Sequence, residues 1–287
     1  MKYVLAFLSW VTRTLPWLPA RWRLLNWLKP KVKAYYRQPS ESIVRLTCGY
    51  KMAVDKYDFV GRHIYITGEY ETPTSRLFRE LIHPGENILD IGANIGYFSL
   101  LSLRLVGPDG RVYAFEASPH IAAILKSNIV LNNIGSNFTL FELAVANKQG
   151  TLTFHEAQDD HLGISSLRDL GDRTRSSIVV PAIAIDKIAH SLRTIKLIKL
   201  DIEGAELLAL EGMVGLLQRD KPYVIFELTD QYLRQVYGSQ EEVIEFLKGL
   251  DYELFRIEHE SLPKLTQPPT AQCNVLAAPI GSSIPLL

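Results

Sequence analysis

The sequence predicts an α/β fold. The expected core is a doubly wound, mostly parallel sheet with one antiparallel strand, carrying a small β platform and a basic N-terminal helical extension. Three observations carry this expectation. From Asn87 onward, short apolar runs alternate with segments of helical period, as when strands are covered on both faces by helices. The first run, Asn87-Ile88-Leu89, reaches Asp90, and the small residues Gly92, Ala93 and Gly96 follow before an apolar pattern of helical period begins, which reads as strand, tight turn and helix N-terminus. Acids stand where runs end, at Asp90, Glu116, Asp201 and Glu227, the carboxyl edge at which open parallel sheets bind ligands.

The 287 residues suffice for one large domain with an appendage. Residues 1–40 form the appendage: they hold Lys2, Arg13, Arg21, Arg23, Lys29, Lys31, Lys33 and Arg37 and no acid. The formal net charge of zero thus conceals a basic head and a remainder of net −8. All four tryptophans, Trp10, Trp17, Trp22 and Trp27, fall in this head. Tryptophan interleaved with Lys and Arg is the composition of a membrane–water interface. The run Tyr3 to Val11 is too short to span a bilayer, and as a signal peptide it lacks a small-residue cleavage site. Packing on the domain or on a second subunit is the alternative. Nucleic acid is not expected, because no RNA-binding signature accompanies the basic residues. The two cysteines, Cys48 and Cys273, make no disulfide framework and fit a reducing compartment. The expected location is cytoplasmic, at the inner face of a membrane if the head binds lipid; the oligomeric state is left open.

Residues 41–71 alternate in short bursts around Gly49, Tyr57 and Gly61 and read as small antiparallel strands, a lid or platform. The domain proper spans 72–287. Thr72-Pro73 reads as an N-cap and first helical residue, opening a helix to about Ile82. The strand Arg111 to Phe115 delivers Glu116, and Ser118-Pro119 opens a helix to about Asn132. Strands follow over Phe138 to Glu142 and Thr151 to His155, then a polar, turn-rich insertion from Gln158 to Arg175 and a strand over Val179 to Ile185, with Asp186 as a helix cap. Lys196 to Leu200 delivers Asp201, a helix runs from Ala205 to about Leu217, and Tyr223 to Phe226 delivers Glu227. A helix over Glu241 to Leu250 precedes an antiparallel pair, Tyr252 to Ile257 and Asn274 to Ala278.

The turn also selects its ligand. A dinucleotide site would show Gly-x-Gly-x-x-Gly against a pyrophosphate. Here Asp90 precedes Gly92, Asn94 and Gly96, and its carboxylate would repel a pyrophosphate by several kcal/mol in a dry site. The same carboxylate suits a ligand with an ammonium group and no phosphate. S-adenosylmethionine (AdoMet) is such a ligand, and Glu116, at the tip of the second strand, stands where a ribose diol is held.

These residues resemble a family. Leu89-Asp90-Ile91-Gly92-Ala93-Asn94-Ile95-Gly96-Tyr97-Phe98, the turn Ala144 to Gly150, and above all Ile198-Lys199-Leu200-Asp201-Ile202-Glu203-Gly204-Ala205-Glu206 are similar to the FkbM family of Rossmann-like class I AdoMet-dependent methyltransferases. The resemblance runs from about Gly68 to Ala278. It implies AdoMet as cofactor and an O-methyltransferase acting on a hydroxyl of a sugar, a glycan or a secondary metabolite. Tyr70 and Glu71 would belong to a segment closing over the cofactor. At the third strand's end Ala144 stands where relatives often have Asp for the adenine amino group, so adenine contact there falls to backbone. A Gly163-to-Leu167 loop near the acceptor is also implied. A non-catalytic AdoMet-binding adaptor, or a peripheral membrane protein with this domain as scaffold, is the alternative.

Attack by a hydroxyl requires proton removal. Asp201, Glu203 and Glu227 are the candidate bases, since neighbouring acids raise one another's pKa; His161, in the insertion with Asp159 and Asp160, is the next candidate. Glu206 is assigned to the first turn of a helix, where an acid offsets the dipole. No Cys/His spacing suggests zinc and no metal is expected, although three carboxylates would not exclude one.

Overall fold

The protein, as a computed structural model, is described over residues 2–14 and 21–285; Trp17 lies outside these, as do the side chains of Lys2, Arg21 and Trp22. Two helices, α1 (Lys2–Thr14) and α2 (Arg21–Tyr35), precede a hairpin of β1 (Glu41–Arg45) and β2 (Lys51–Asp55). The outer edge of β2 is closed by two amides. Asn132 Oδ1 accepts from Lys51 N at 2.7 Å, and Asn128 Oδ1 accepts from Ala53 N at 2.7 Å. Four residues along a helix and two along a strand both advance ~6 Å, so one register serves both bonds.

A helix, α3 (Phe59–Thr67), then stands where further strands were expected. Asp58 caps it, accepting from Gly61 N at 2.7 Å, and Gly68 ends it at φ 73°. Val60 and Ile64 bury one face at helical spacing. The next helix, α4 (Thr72–Leu81), begins where expected, but its N-cap is Glu71, held at φ 42°, not Thr72.

The domain continues with β3 (Asn87–Ile91), α5 (Tyr97–Val106), β4 (Arg111–Phe115), α6 (Pro119–Val130) and β5 (Phe138–Phe141). Strands β6 (Ala144–Val145), β7 (Gly150–Ala157) and β8 (Thr174–Ile183) then build a separate three-stranded sheet, order β6-β8-β7. The chain returns through β9 (Leu197–Leu200), α7 (Glu206–Glu211), α8 (Val214–Asp220), β10 (Tyr223–Leu228), α9 (Asp230–Val236), α10 (Gln240–Gly249), β11 (Tyr252–Arg256) and β12 (Cys273–Pro279).

The single helix expected over 205–217 is thus two. A Cβ on Gly212 would lie 2.0 Å from Ala146 O, so the chain passes close to β6 at this break. Asp186 accepts from Gly215 N at 2.8 Å and Leu216 N at 2.9 Å. It therefore caps α8 across space, not a helix directly behind it.

The main sheet has the order β11-β12-β10-β9-β3-β4-β5, with β12 antiparallel to both its neighbours and the other pairings parallel. From β3 the chain first builds outward through β4 and β5, then returns to place β9 on the other side. The sheet's switch point, where α/β folds bind ligands, lies between β3 and β9. Every residue of β3 and β9 is buried. One core cluster joins Ile88, Phe98 and Ile121 to Leu5, Leu28, Val44, Ile64 and Phe78, so the head, the platform and the sheet share it. A second joins the opposite face of the sheet to α7, α8 and α10.

Candidate active site

A cavity of about 320 Å³ opens at the switch point, lined among others by Glu71, Gly92, Asn94, Glu116, Ala144, His161, Asp201, Glu203 and Glu227. This is the size range of small-molecule sites.

The glycine turn forms one wall. Gly92 takes φ 79°, and a Cβ there would sit 1.9 Å from Asp201 O, so only glycine lets the first turn touch the end of β9. Gly92 N and Ala93 N both donate to Phe115 O, at 2.9 and 3.0 Å. Asn94 takes φ 51° and donates its N–H to Glu116 Oε2 at 2.9 Å; Ser118 N donates to Glu116 Oε1 at 2.9 Å. The carboxylate lines the cavity, and its two acceptor oxygens suit two vicinal hydroxyls. Burial pushes the Glu116 carboxyl up to about 7, against the pull of those backbone donors.

Asp90 and Gly96 are not on the wall. Asp90 is buried beneath the turn, where Ser99 Oγ donates to its Oδ2 at 2.6 Å. Burial raises it to about 6, and Asp201 adds to the rise while Ser99 and Lys199 oppose it. Asp90, expected at the ammonium of the cofactor, is thus not among the residues that line the cavity. Gly96, at φ 95°, packs under Leu125 and starts α5.

At the other end stand the acids of β9 and β10. Asp201, Glu203 and Glu227 bring carboxylate oxygens within 4.8 Å of one another, a set that could ligate a divalent cation. Two buried cations offset them. Lys199, alone among charged residues within β9, has its Nζ 2.9 Å from Asp201 Oδ2. Burial works against its charge, yet Asp201, Glu71 and Glu227 hold the ammonium above its ordinary value. Arg168, 5% exposed, lies 3.8 Å over the Tyr232 ring and 3.5 Å from Glu203 Oε2.

Glu203 takes φ 56° between Ile202 and Gly204, strain of the kind that aims a side chain at functional sites. Burial, then Asp201, Glu227 and Glu206, push it up to about 9, with Arg168 opposing. Glu227 accepts from Thr229 Oγ1 at 2.8 Å and is raised by burial and by Asp201. Glu206 faces away from the cavity: its oxygens accept from Ile202 N and Gly204 N at 3.0 to 3.3 Å and so brace the loop that carries Glu203.

The roof comes from outside the sheet. Glu71 accepts from Asn274 Nδ2 at 2.8 Å and is raised mainly by burial. His161 packs against Phe59, ring centroids 4.8 Å apart, and burial lowers its pKa. Ala144 lines the cavity beside Leu143 and Val145, with no acid among the three. Sequence reasoning gave no role to Lys199 or Arg168. A lysine inside an apolar buried strand is a signal that was available; Arg168, in a polar insertion, offered none.

The strand order, the glycine turn at the switch point and the acid at the tip of β4 define a class I AdoMet-dependent methyltransferase fold. Residues 90–254 match the family described as "Methyltransferase FkbM domain"; the chain belongs to the FkbM methyltransferase family, whose cofactor is AdoMet. Methyltransferase sdnD of Sordaria araneosa is 28% identical over 155 residues, 44% of this chain and 60% of that protein. The 31-O-demethyl-FK506 methyltransferase FkbM of Streptomyces tacrolimicus is 26% identical over 199 residues, 58% of this chain and 73% of that one. The solved structure of a methyltransferase FkbM from Methylobacillus flagellatus is 17% identical, covering 75% of this chain and 52% of its own, with a TM-score of 0.44. The chain thus spans about three-fifths of the first relative's length and about half of that solved chain.

The residues fit the cofactor. Gly92 leaves the turn flush where a Cβ would collide, Glu116 presents paired acceptors, and acids face the cavity at the end away from Glu116.

Proposed function

We propose that this chain is an O-methyltransferase that transfers the AdoMet methyl group to a hydroxyl of a sugar, a glycan or a secondary metabolite. The observation that supports it most is a single cavity joining the Glu116 end, suited to a ribose, to the acids Asp201, Glu203 and Glu227. The FkbM relative bears a name that makes an O-demethyl compound its acceptor, which favours oxygen over nitrogen or carbon. AdoMet supplies an electrophilic methyl on a sulfonium whose departure as a neutral thioether needs no acid.

The chain's own residues then align and deprotonate. Glu116 and the Gly92–Asn94 turn fix the adenosine, and Glu71 with Asp201, clamped by Lys199, faces the amino-acid end. Holding acceptor oxygen, methyl and sulfur in line is the larger part of the task. Glu203 acts as general base in its ionised form: its side chain lines the cavity beside Asp201 and Glu227, and Arg168, 3.5 Å from its Oε2, opposes the burial that would otherwise keep the carboxyl protonated. Arg168, beside it, stabilises the ionised form before the proton is taken.

The test is methyl transfer from labelled AdoMet to glycan, lipid and metabolite extracts, resolved by mass spectrometry. Wild type should form S-adenosylhomocysteine and one labelled, methoxyl-bearing product, and Glu203→Gln should lower single-turnover transfer by ~10²–10⁴ with AdoMet affinity kept. Absence of S-adenosylhomocysteine with every extract would favour a non-catalytic AdoMet-binding adaptor.

A further inference from the structure

Helix α1 shows solvent the side chains that a water-soluble helix hides. Its inward positions, Leu5, Ser9 and Thr12, are all buried and share one face at spacings of four and three. Thr12 Oγ1 bonds to Ser9 O and Ile66 O. The opposite face carries Tyr3, Val4, Phe7 and Trp10, exposed to 85%, 56%, 60% and 52%. Phe7 and Trp10 stack on each other with centroids 6.1 Å apart. A contiguous apolar face of this kind marks an interaction surface.

Charge selects the partner. Residues 1–40 carry eight basic residues and no acid, on a chain whose remainder is acidic. On α2, Trp27 is half-exposed with the Lys31 ammonium 4.6 Å over its ring, and Arg23, Lys33 and, beyond it, Arg37 are exposed. One of the basic residues expected at a lipid surface turns inward: Arg13 donates to Tyr65 O and packs on Gly68. Aromatic rings beside cations suit the headgroup boundary of an anionic bilayer. Among the described residues no helix is long and apolar enough to cross a membrane, so such a helix would lie on the surface.

We propose that α1 and α2 dock this protein on an anionic lipid bilayer, with Tyr3, Val4, Phe7 and Trp10 entering the headgroup boundary. The docked face is coupled to the cavity through one short element. Helix α1 rests on the last turn of α3, at Tyr65, Ile66 and Gly68, while the first turn of α3 lines the cavity with Phe59 and Val60. Nine helical residues span ~13 Å, so one short helix separates the inner face of α1 from the cavity lining. Where the methyltransferase reading holds, this favours an acceptor hydroxyl presented on a lipid anchor.

The test uses the full chain and does not require methyl transfer. Wild type is sedimented with phosphatidylcholine vesicles and with mixed phosphatidylcholine–phosphatidylserine vesicles, at low and at high salt. It should pellet with the anionic vesicles at least ~10-fold more strongly and be released by salt, as expected for screened attraction. Phe7→Ser with Trp10→Ser should weaken pelleting by ~10-fold or more, each lost ring removing buried apolar area, while the urea unfolding midpoint stays unchanged. Lys31→Glu with Lys33→Glu, a second pair, should do the same through charge. Wild type remaining in the supernatant at low salt would overturn the proposal, as would a Phe7→Ser, Trp10→Ser variant that pellets like wild type. A dimer in sedimentation velocity that this variant abolishes, without vesicle binding, would assign the face to a second copy of the chain.

Discussion

Replacing Gly92 with alanine isolates the contact on which the site's geometry depends. Two costs arise. The residue sits at φ 79°, where a side chain costs ~1–2 kcal/mol. Its Cβ would also stand 1.9 Å from Asp201 O and 3.0 Å from Ile202 Cγ2, a collision with backbone that no rotamer relieves. Overpacking of this kind adds ~1–3 kcal/mol or more. Gly85 is the matched control: it takes φ 86° with nothing within 4 Å of its Cβ position, so only the first cost applies. Urea unfolding should therefore place Gly85→Ala ~1–2 kcal/mol below wild type and Gly92→Ala ~2–5 kcal/mol below it. AdoMet affinity measured by calorimetry should fall only for Gly92→Ala, because the turn must move away from β9. Equal losses of stability for the two variants, with AdoMet affinity intact in both, would refute the close approach of the turn to Asp201.

Two further predictions concern charge. Asp58, Asp90, Glu116 and Glu206 are raised by burial to about 6, 6, 7 and 7, so between their unfolded values and these the folded state binds more protons. Its stability without ligand should fall as pH rises from ~4.5 to ~7.5, by about 1.4 kcal/mol for each tenfold gain in proton affinity; a chemical-denaturation series that rises over this range would contradict the burial assigned here. Because Lys199 and Arg168 already offset two of the three clustered carboxylates, methyl transfer should survive EDTA; loss of activity restored by Mg²⁺ would reassign Asp201, Glu203 and Glu227 as metal ligands.

The sheet was legible because its strands announce themselves twice, by apolar runs and by the acids that follow. Each expected strand from Asn87 to Ala278 is present, and Ser118 caps α6 as read. What the sequence concealed was long-range. Asp186 caps a helix nearly thirty residues away, and the break in the 205–217 helix accompanies a close approach to Ala146 O. Helix α3 was missed because its capping acid, Asp58, sits among turn-forming residues that read equally well as a strand boundary. In the site, the cavity gathers Glu116, Asp201 and Glu227, placed by strand-end position, and Glu203, placed by the acid-rich motif after Leu200. Asp90 has the same signature yet points beneath the turn to Ser99, since which face a strand-end acid takes depends on pleat register. Arg168 arrives from an insertion without periodicity, so only the folded chain shows it beside Glu203.

The central claim, an AdoMet site built on Glu116 and the Gly92 turn, is tested most directly by calorimetry of the full chain with AdoMet and with NADH. Wild type should bind AdoMet and not NADH. Glu116→Ala should weaken AdoMet by ~1.5–3 kcal/mol, the contribution of hydrogen bonds to a charged group. Tight NADH binding by wild type with no affinity for AdoMet would contradict the account.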